Sequence, residues 1–372
     1  MTDVVIVGAG IIGACVADAL TARGARVRVL EAAAAPATGS TGRSFAGVRG
    51  QWPDATNAQL AWRSIQAYRS CADEIGYRPI GYLLLVPEED WERARAAVVL
   101  QTSLGIPVEE LDVDEAQRLV AFERTGLAGC TWGTADGVVD PHSITMAALG
   151  RARARGAELR LSTAVTGLDQ RGSRWQVTTG DGALETDVVV NAAGGWSGDL
   201  ARLADLDVPV QHVRRAVFGT APGPGLGSLP MVIDTASGFY LRGESDRVLF
   251  ARADPGEPPG YDTSVPWHWL EPTLEVGCGR FPWLATTPLD DRIAWAGTYD
   301  SSPDSQAVLG RMPGAEGFVN ACGFSGHGVM QAPAVGHVIA EEVLDGLASS
   351  VDIDALRIER FGDRTRPLSM VF

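Results

Sequence analysis

The chain has 372 residues, of which 45% are hydrophobic and 21% charged, the mix of a soluble globular protein with room for two domains rather than a disordered or fibrous one. Its formal net charge of −15 repels phosphate backbones and anionic lipid heads, which sets nucleic acid and membrane surfaces aside as partners. All 31 basic residues are Arg, which excludes chemistry needing an ε-amine, such as a pyridoxal Schiff base, a phosphate-loop lysine or a Ser/Lys dyad.

Residues 4–7 are a short apolar run ahead of glycines, which predicts a strand buried on both faces. Ile12, Cys15, Val16, Ala19 and Leu20 then recur at helical spacing, Gly24 stops the helix, and residues 26–30 resume as a strand. This βαβ unit carries Gly8-Ala-Gly10-Ile-Ile-Gly13 at its first turn and Glu31 at the end of its second strand. In that setting Gly8 permits the tight turn, Gly10 lets backbone approach a pyrophosphate, and Gly13 lets helix and strand pack closely. Glu31 can accept hydrogen bonds from the adenosine ribose, and with no Arg directly after it the pattern speaks against a 2′-phosphate. FAD and NAD both carry the ADP half, so the fingerprint leaves the two open.

Further along, helices are predicted over 114–120 and 143–155, and strands over 159–168 and 175–179. Residues 187–191 are a second buried strand entering a glycine turn, assigned to the same sheet as 4–7. Pro/Gly clusters at 222–225 and 255–259 bound 231–253, where hairpin strands are expected. After Gly326-His-Gly-Val-Met330 a helix is expected, with Pro333 in its first turn and Val335, Val338, Ile339 and Val343 on one apolar face. No repeat or long linker separates these segments, which predicts interleaved domains.

Cys15, Cys71, Cys130, Cys278 and Cys322 are odd in number and include no C-x-x-C, so neither a disulfide framework nor a zinc site is expected. His142, His212, His268 and His337 match no metal spacing, and no metal is expected. A reducing cytoplasm fits this cysteine usage. The absence of a basic N-terminal region and of a long uninterrupted apolar run agrees with a cytoplasmic protein without a membrane span.

Several longer motifs are more specific than the glycine fingerprint. They are Thr38-Gly-Ser-Thr-Gly-Arg-Ser44 with Gly47-Val-Arg49, Val189-Val-Asn-Ala-Ala-Gly-Gly-Trp196, Trp295-Ala-Gly-Thr-Tyr-Asp-Ser-Ser-Pro-Asp304 with Leu309-Gly310, and Ala321-Cys-Gly-Phe-Ser-Gly-His-Gly-Val-Met-Gln-Ala-Pro-Ala-Val-Gly336. Through them the chain resembles, over essentially its whole length, the D-amino-acid oxidase-like family of FAD-dependent oxidoreductases. Within it the resemblance is closest to the branch of sarcosine oxidase, sarcosine dehydrogenase and the proline dehydrogenase β-subunit.

The resemblance implies an α/β + α+β fold: a Rossmann-type FAD-binding domain (1–75, 141–215 and 305–372) interleaved with a substrate domain built on an antiparallel sheet (76–140 and 216–304). It implies FAD held by Gly8, Gly10, Ile11, Ile12, Gly13, Glu31, Ala32, Ser40, Thr41, Gly42, Arg43, Ser44, Val165, Ala193, Gly194, Trp196, Gly326, His327, Gly328, Val329 and Met330. His327, Tyr299 and Tyr240 are its candidate catalytic residues, and Arg49, Tyr240, Tyr299 and Met330 its candidate substrate contacts. The cysteine that tethers FAD in the sarcosine oxidase branch is matched by Gly297, which implies non-covalent FAD. A carboxylate-binding lysine of that branch is matched by Met330, so substrate recognition differs.

The implied reaction is oxidation of the C–N bond of an amine or amino acid (sarcosine-like N-alkyl amino acid, proline-like or D-amino acid) by hydride transfer to flavin N5, followed by imine hydrolysis. The partners are that small molecule and O2 or another electron acceptor. The lack of lysine, which serves oxygen reduction in the branch, tilts the expectation toward a dehydrogenase. The alternatives are a flavin-bearing β-type subunit active only in a hetero-oligomer and an NAD-dependent dehydrogenase; a homo-oligomer is compatible with either.

Overall fold

In the computed structural model, which describes residues 2–362, the first apolar run is strand β1, Asp3–Val7, buried along its whole length. Successive residues of a strand point to opposite faces, so β1 serves two cores. Val4 and Ile6 join helices on one face, and Val5 and Val7 join a three-stranded meander (Val165–Arg171, Arg174–Thr179, Gly182–Thr186) on the other.

The six-stranded sheet runs Val308–Arg311, Phe318–Cys322, Val188–Asn191, β1, β2 (Arg26–Leu30) and Glu158–Arg160. Its neighbours are parallel except for the edge pair Val308–Arg311 and Phe318–Cys322. Helix α1, Ile11–Ala22, covers one face with the helices Pro141–Ala154 and Gly328–Leu344 against it.

A second, eight-stranded sheet is ordered Leu289–Ser301, Gln211–Thr220, Arg247–Ala251, Phe239–Glu244, Met231–Asp234, Tyr82–Pro87, Leu127–Gly133 and Val108–Leu111. Every pair is antiparallel but one, Met231–Asp234 with Tyr82–Pro87. Phe218, Phe239, Phe250 and Phe281 fill its core. The first sheet draws strands from 3–30, 158–191 and 308–322 and the second from 82–133 and 211–301, so the chain passes between them repeatedly. The expected cut after residue 215 falls inside Gln211–Thr220, which pairs with Leu289–Ser301. Residues 363–372 of the expected last segment lie outside the described residues.

Three local expectations are corrected. The strand predicted over 159–168 is two strands: Ser162 at φ 52° breaks the run, so Glu158–Arg160 stays in the parallel sheet and Val165–Arg171 starts the meander. The helix predicted over 114–120 is one turn, Val113–Ala116, capped by Asp112 and Glu115; the Gln117 side chain then donates to the Phe122 carbonyl at 2.8 Å and folds the chain back. Pro333 lies beyond the first turn of Gly328–Leu344, because that helix begins earlier than expected.

Proline at that depth removes the donor that Val329 O would have received. The Tyr68 hydroxyl, from helix Ala55–Ser70, supplies it instead at 2.7 Å. Among the described residues no helix is long and apolar enough to cross a membrane. Tyr68→Phe leaves the Val329 carbonyl buried and unsatisfied, and should lower stability by about 1–3 kcal/mol in urea unfolding followed by fluorescence.

Candidate active site

A cavity of ≈ 730 Å³ runs between the carboxyl ends of the parallel strands and the face of the eight-stranded sheet. At one end stands Glu31, whose Oε2 accepts from Ala9 N–H at 2.8 Å and Oε1 from Ala33 N–H at 2.9 Å. These bonds fix the carboxylate while leaving acceptor capacity for a diol. Next comes the start of α1, where the first-turn amides have no intrahelical acceptor. One of them, Ile11 N–H, donates to Thr41 Oγ1 at 3.1 Å.

Glycine is required at two points here. Gly8, at φ 108°, would place a Cβ 2.3 Å from Ala192 O, and a Cβ on Gly13 would lie 2.0 Å from Gly8 O. Only backbone fits between helix and sheet, so α1 sits low enough for its N-terminus to face a pyrophosphate.

The other end is aromatic and basic. Tyr299 lies flush on the glycine loop: a Cβ on Gly326 would be 2.2 Å from its ring. Tyr240 meets Tyr299, and burial together with that contact pushes its phenol well above the usual value, so it stays a neutral hydrogen-bonding group. Phe45 packs edge-on against Tyr240 at 5.0 Å. Asp300 accepts from Phe324 N–H at 3.1 Å with Oδ2, and burial raises its pKa to about 6. It thereby fixes the loop that leads into helix Gly328–Leu344.

Of the residues singled out from sequence, Gly8, Gly10, Ile11, Ile12, Glu31, Ala32, Ser40, Thr41, Arg43, Ser44, Val165, Ala193, Gly194, Trp196, Tyr240, Tyr299, Gly326, Gly328 and Val329 line this one cavity. Gly13 and Gly42 do not line it but shape its wall; a Cβ on Gly42 would meet Ala37 O at 2.4 Å. Arg49, His327 and Met330 lie behind the lining, around the buried Trp52. The Arg49 guanidinium is 4.7 Å from a Trp52 ring centroid, the His327 and Trp52 rings are 4.9 Å apart, and Met330 packs on the same cluster.

Arg49 is 6% exposed, and among the described residues its Nε has no partner and no carboxylate forms an ion pair with it. Both ring nitrogens of His327 are likewise buried without a partner. Burial, with the Arg49 charge adding, pushes the His327 pKa down to about 3, so the imidazole is neutral at working pH.

Sequence reasoning missed Asp136 and Arg215. Asp136 accepts from Gly50 N–H at 2.7 Å and from Gln51 Nε2 at 2.9 Å, and Gln51 Oε1 accepts from the Thr131 hydroxyl at 2.7 Å. This ties the segment carrying Arg49 to the strand Leu127–Gly133. Asp136 reads as an ordinary turn residue in Thr134-Ala-Asp-Gly137, with no local signal of that role. Arg215 lines the cavity with its guanidinium carbon 5.2 Å from the Tyr299 ring centroid.

Residues 3–342 match the family described as FAD dependent oxidoreductase (DAO). FAD-dependent oxidoreductase domain-containing protein 1 of Bos taurus is 30% identical over 97% of this chain and 85% of its own length. Mitochondrial dimethylglycine dehydrogenase of Mus musculus is 27% identical over 98% of this chain, which spans only 44% of that protein. L-Proline dehydrogenase from P. horikoshii superposes with a TM-score of 0.89 at 28% identity, covering 98% of both chains. The chain belongs to the family of FAD dependent oxidoreductases, and FAD rather than NAD is its cofactor.

The cavity fits that cofactor: a fixed carboxylate for the ribose, a helix start for the pyrophosphate, and an aromatic end. Gly297 offers no nucleophile, and a Cβ there would lie 2.7 Å from Arg43 Cβ, so this wall has no room for a tether. Acid precipitation of the purified protein should therefore leave a colourless pellet and a yellow supernatant; pigment retained by the washed pellet would contradict non-covalent binding.

Proposed function

We propose that this enzyme oxidises the C–N bond of an amino acid with a substituted nitrogen, holding the substrate carboxylate on Arg49, and that it passes the electrons to an acceptor other than O2. The observation carrying this reading is Arg49 itself. A guanidinium 6% exposed, with no ion-pair partner among the described residues and neighbouring the cavity aromatic Tyr299, is a buried charge in want of a counterion. Dimethylglycine and L-proline, for which two relatives are named, both carry a substituted nitrogen beside a carboxylate.

When bound, FAD supplies a hydride acceptor, and the resulting imine is hydrolysed by water. The chain's own residues position and insulate. Arg49 orients the carboxylate, while Trp52 and the neutral His327 close the site behind it. Tyr240 offers an uncharged hydroxyl, beside that of Tyr299, that can steer the amine lone pair without protonating it. The N-terminus of Gly328–Leu344 faces the cavity through Gly328 and Val329, where its dipole favours negative charge. Asp136 acts as a positioning residue through the Gly50 and Gln51 bonds.

Arg49→Ala should lower kcat/KM on a carboxylate-bearing amine roughly ten- to hundredfold, the worth of a charged hydrogen bond of about 1.5–3 kcal/mol. Steady-state kinetics at unchanged FAD content checks this, and unaltered kcat/KM would remove Arg49 from substrate binding.

The choice of acceptor rests on charge. The chain has no lysine and His327 is uncharged at working pH, and of the remaining cations Arg49 is assigned to the substrate carboxylate and Arg215 is held against the Tyr299 ring, so none is reserved for oxygen reduction. Anaerobically reduced enzyme mixed with aerated buffer should reoxidise more slowly than it turns over with an artificial acceptor. Reoxidation by O2 as fast as turnover would make it an oxidase.

A further inference from the structure

Acids outnumber bases in this chain, 46 to 31, and its arginines are mostly spoken for. Among the described arginines that are not exposed, Arg43, Arg49, Arg215 and Arg252 lack an ion-pair partner, whereas others such as Arg214, Arg357 and Arg360 hold carboxylates at 2.7–3.0 Å. Arg252 is accounted for by the Ser237 carbonyl and the Trp269 ring. Arg43 donates to Ala296 O and packs on Gly297. Arg49 has the role proposed above. Arg215 is left.

Its position is not accidental to the strand. Arg215 pairs with Gly297, so its side chain shares a face with Val213 and Val217 and with Tyr299 and Trp295 opposite. Arg214 points the other way, to Glu257 and Asp262. Arg215 Nη1 donates to the Arg214 carbonyl at 2.9 Å, which holds the guanidinium against the Tyr299 ring and leaves its other donors to the cavity. The fields of Arg49 and Arg215 thus both fall on Tyr299.

We propose that Arg215 recognises a second anionic group of the substrate, a carboxylate remote from the nitrogen, so that this site selects amino dicarboxylates. The assignment rests on the amine-oxidation reading for what the bound molecule undergoes. A ligand seated on Tyr299 lies within the fields of both guanidiniums, with Arg215 at the cavity wall for the remote carboxylate and Arg49 just behind the lining for the one beside the nitrogen. In a protein of net charge −15, such a dianion needs local positive charge of this kind to enter at all.

The test needs no turnover. Oxidised FAD holoenzyme is titrated with malonate, succinate and glutarate and with the monoamide of each, with binding read from the flavin absorption spectrum. The tightest diacid should bind at least tenfold more strongly than its monoamide. In Arg215→Met, and in Arg215→Gln should that variant lose FAD, the ratio should fall toward one. Equal affinity for diacid and monoamide in the wild type would overturn the proposal. So would an unchanged ratio in the variants, with only the rate of reoxidation by oxygen altered. So would diacid and monoamide binding weakened in the same proportion, which would mean that Arg215 grips the sole carboxylate. Selective diacid binding by an enzyme that bleaches with no amine would support the anion site while overturning the reaction.

Discussion

The site depends on one constraint, the seating of α1 by backbone against backbone. On its sheet side Gly13 comes so close to Gly8 O that a methyl would stand 2.0 Å away. On its outer side Gly336 of helix Gly328–Leu344 meets Cys15 O, where a methyl would stand 2.5 Å away. The helix is therefore gripped from two directions by contacts that no side chain can cushion. Gly336 lies eight residues into its helix, roughly 12 Å from the start. The α1 N-terminus at the pyrophosphate end and the Gly328 N-terminus at the aromatic end are thereby braced by one pair of helices. Two dipoles fixed in register suit a long cofactor that carries charge at both places.

A proline is tolerated inside Gly328–Leu344 because the Tyr68 hydroxyl bonds the Val329 carbonyl that Pro333 leaves without a backbone donor. Replacing Pro333 would restore a backbone donor to Val329 O and make the Tyr68 bond redundant, but the present arrangement couples helix Ala55–Ser70 to the segment that lines the cavity. Ser64 adds a second tie, accepting from Ala334 N–H at 3.2 Å. Gln331 completes it with a 2.8 Å bond to Asn57. The helix-bound wall of the cavity is held by the buried polar side chains of Tyr68, Ser64 and Gln331, although Gln331 Oε1 itself is buried without a partner.

What was legible in the sequence is what short-range geometry specifies. The strand, glycine turn, helix and acidic strand end between residues 3 and 31 are local, so their roles follow from spacing alone, and the longer glycine motifs fell on the cavity wall. Arg49 and His327 were legible as residue types in motifs but not as a buried pair around Trp52, because that cluster is assembled by chain segments nearly 280 residues apart. Asp136 and Arg215 were invisible for the same reason. Arg215 acquires its meaning only from its pairing with Gly297, and the one available hint was an Arg directly ahead of the apolar run Ala216-Val-Phe218. The overlong strand and helix expectations failed where a single backbone angle at Ser162 or one side-chain bond from Gln117 outweighed apolar periodicity.

The electrostatics of the aromatic end run opposite to those of the whole chain. Asp136, the acid nearest in influence to Arg49, is committed to Gly50 and Gln51 and does not form an ion pair with it. Burial raises the Asp136 pKa to about 6, so its charge is itself partly suppressed in mildly acidic solution. His327 does not add to the imbalance, since burial and the neighbouring Arg49 charge hold its imidazole neutral. The protein thus keeps a buried cation under-compensated, at a cost to the stability of the unliganded state. On the proposed function a substrate carboxylate would relieve that cost, and would stabilise the folded protein with the logarithm of its concentration once that exceeds Kd. Binding energy drawn from such relief would be available only to anionic ligands of the right geometry, so on the proposed function the uncompensated charge of Arg49 is what selects the substrate.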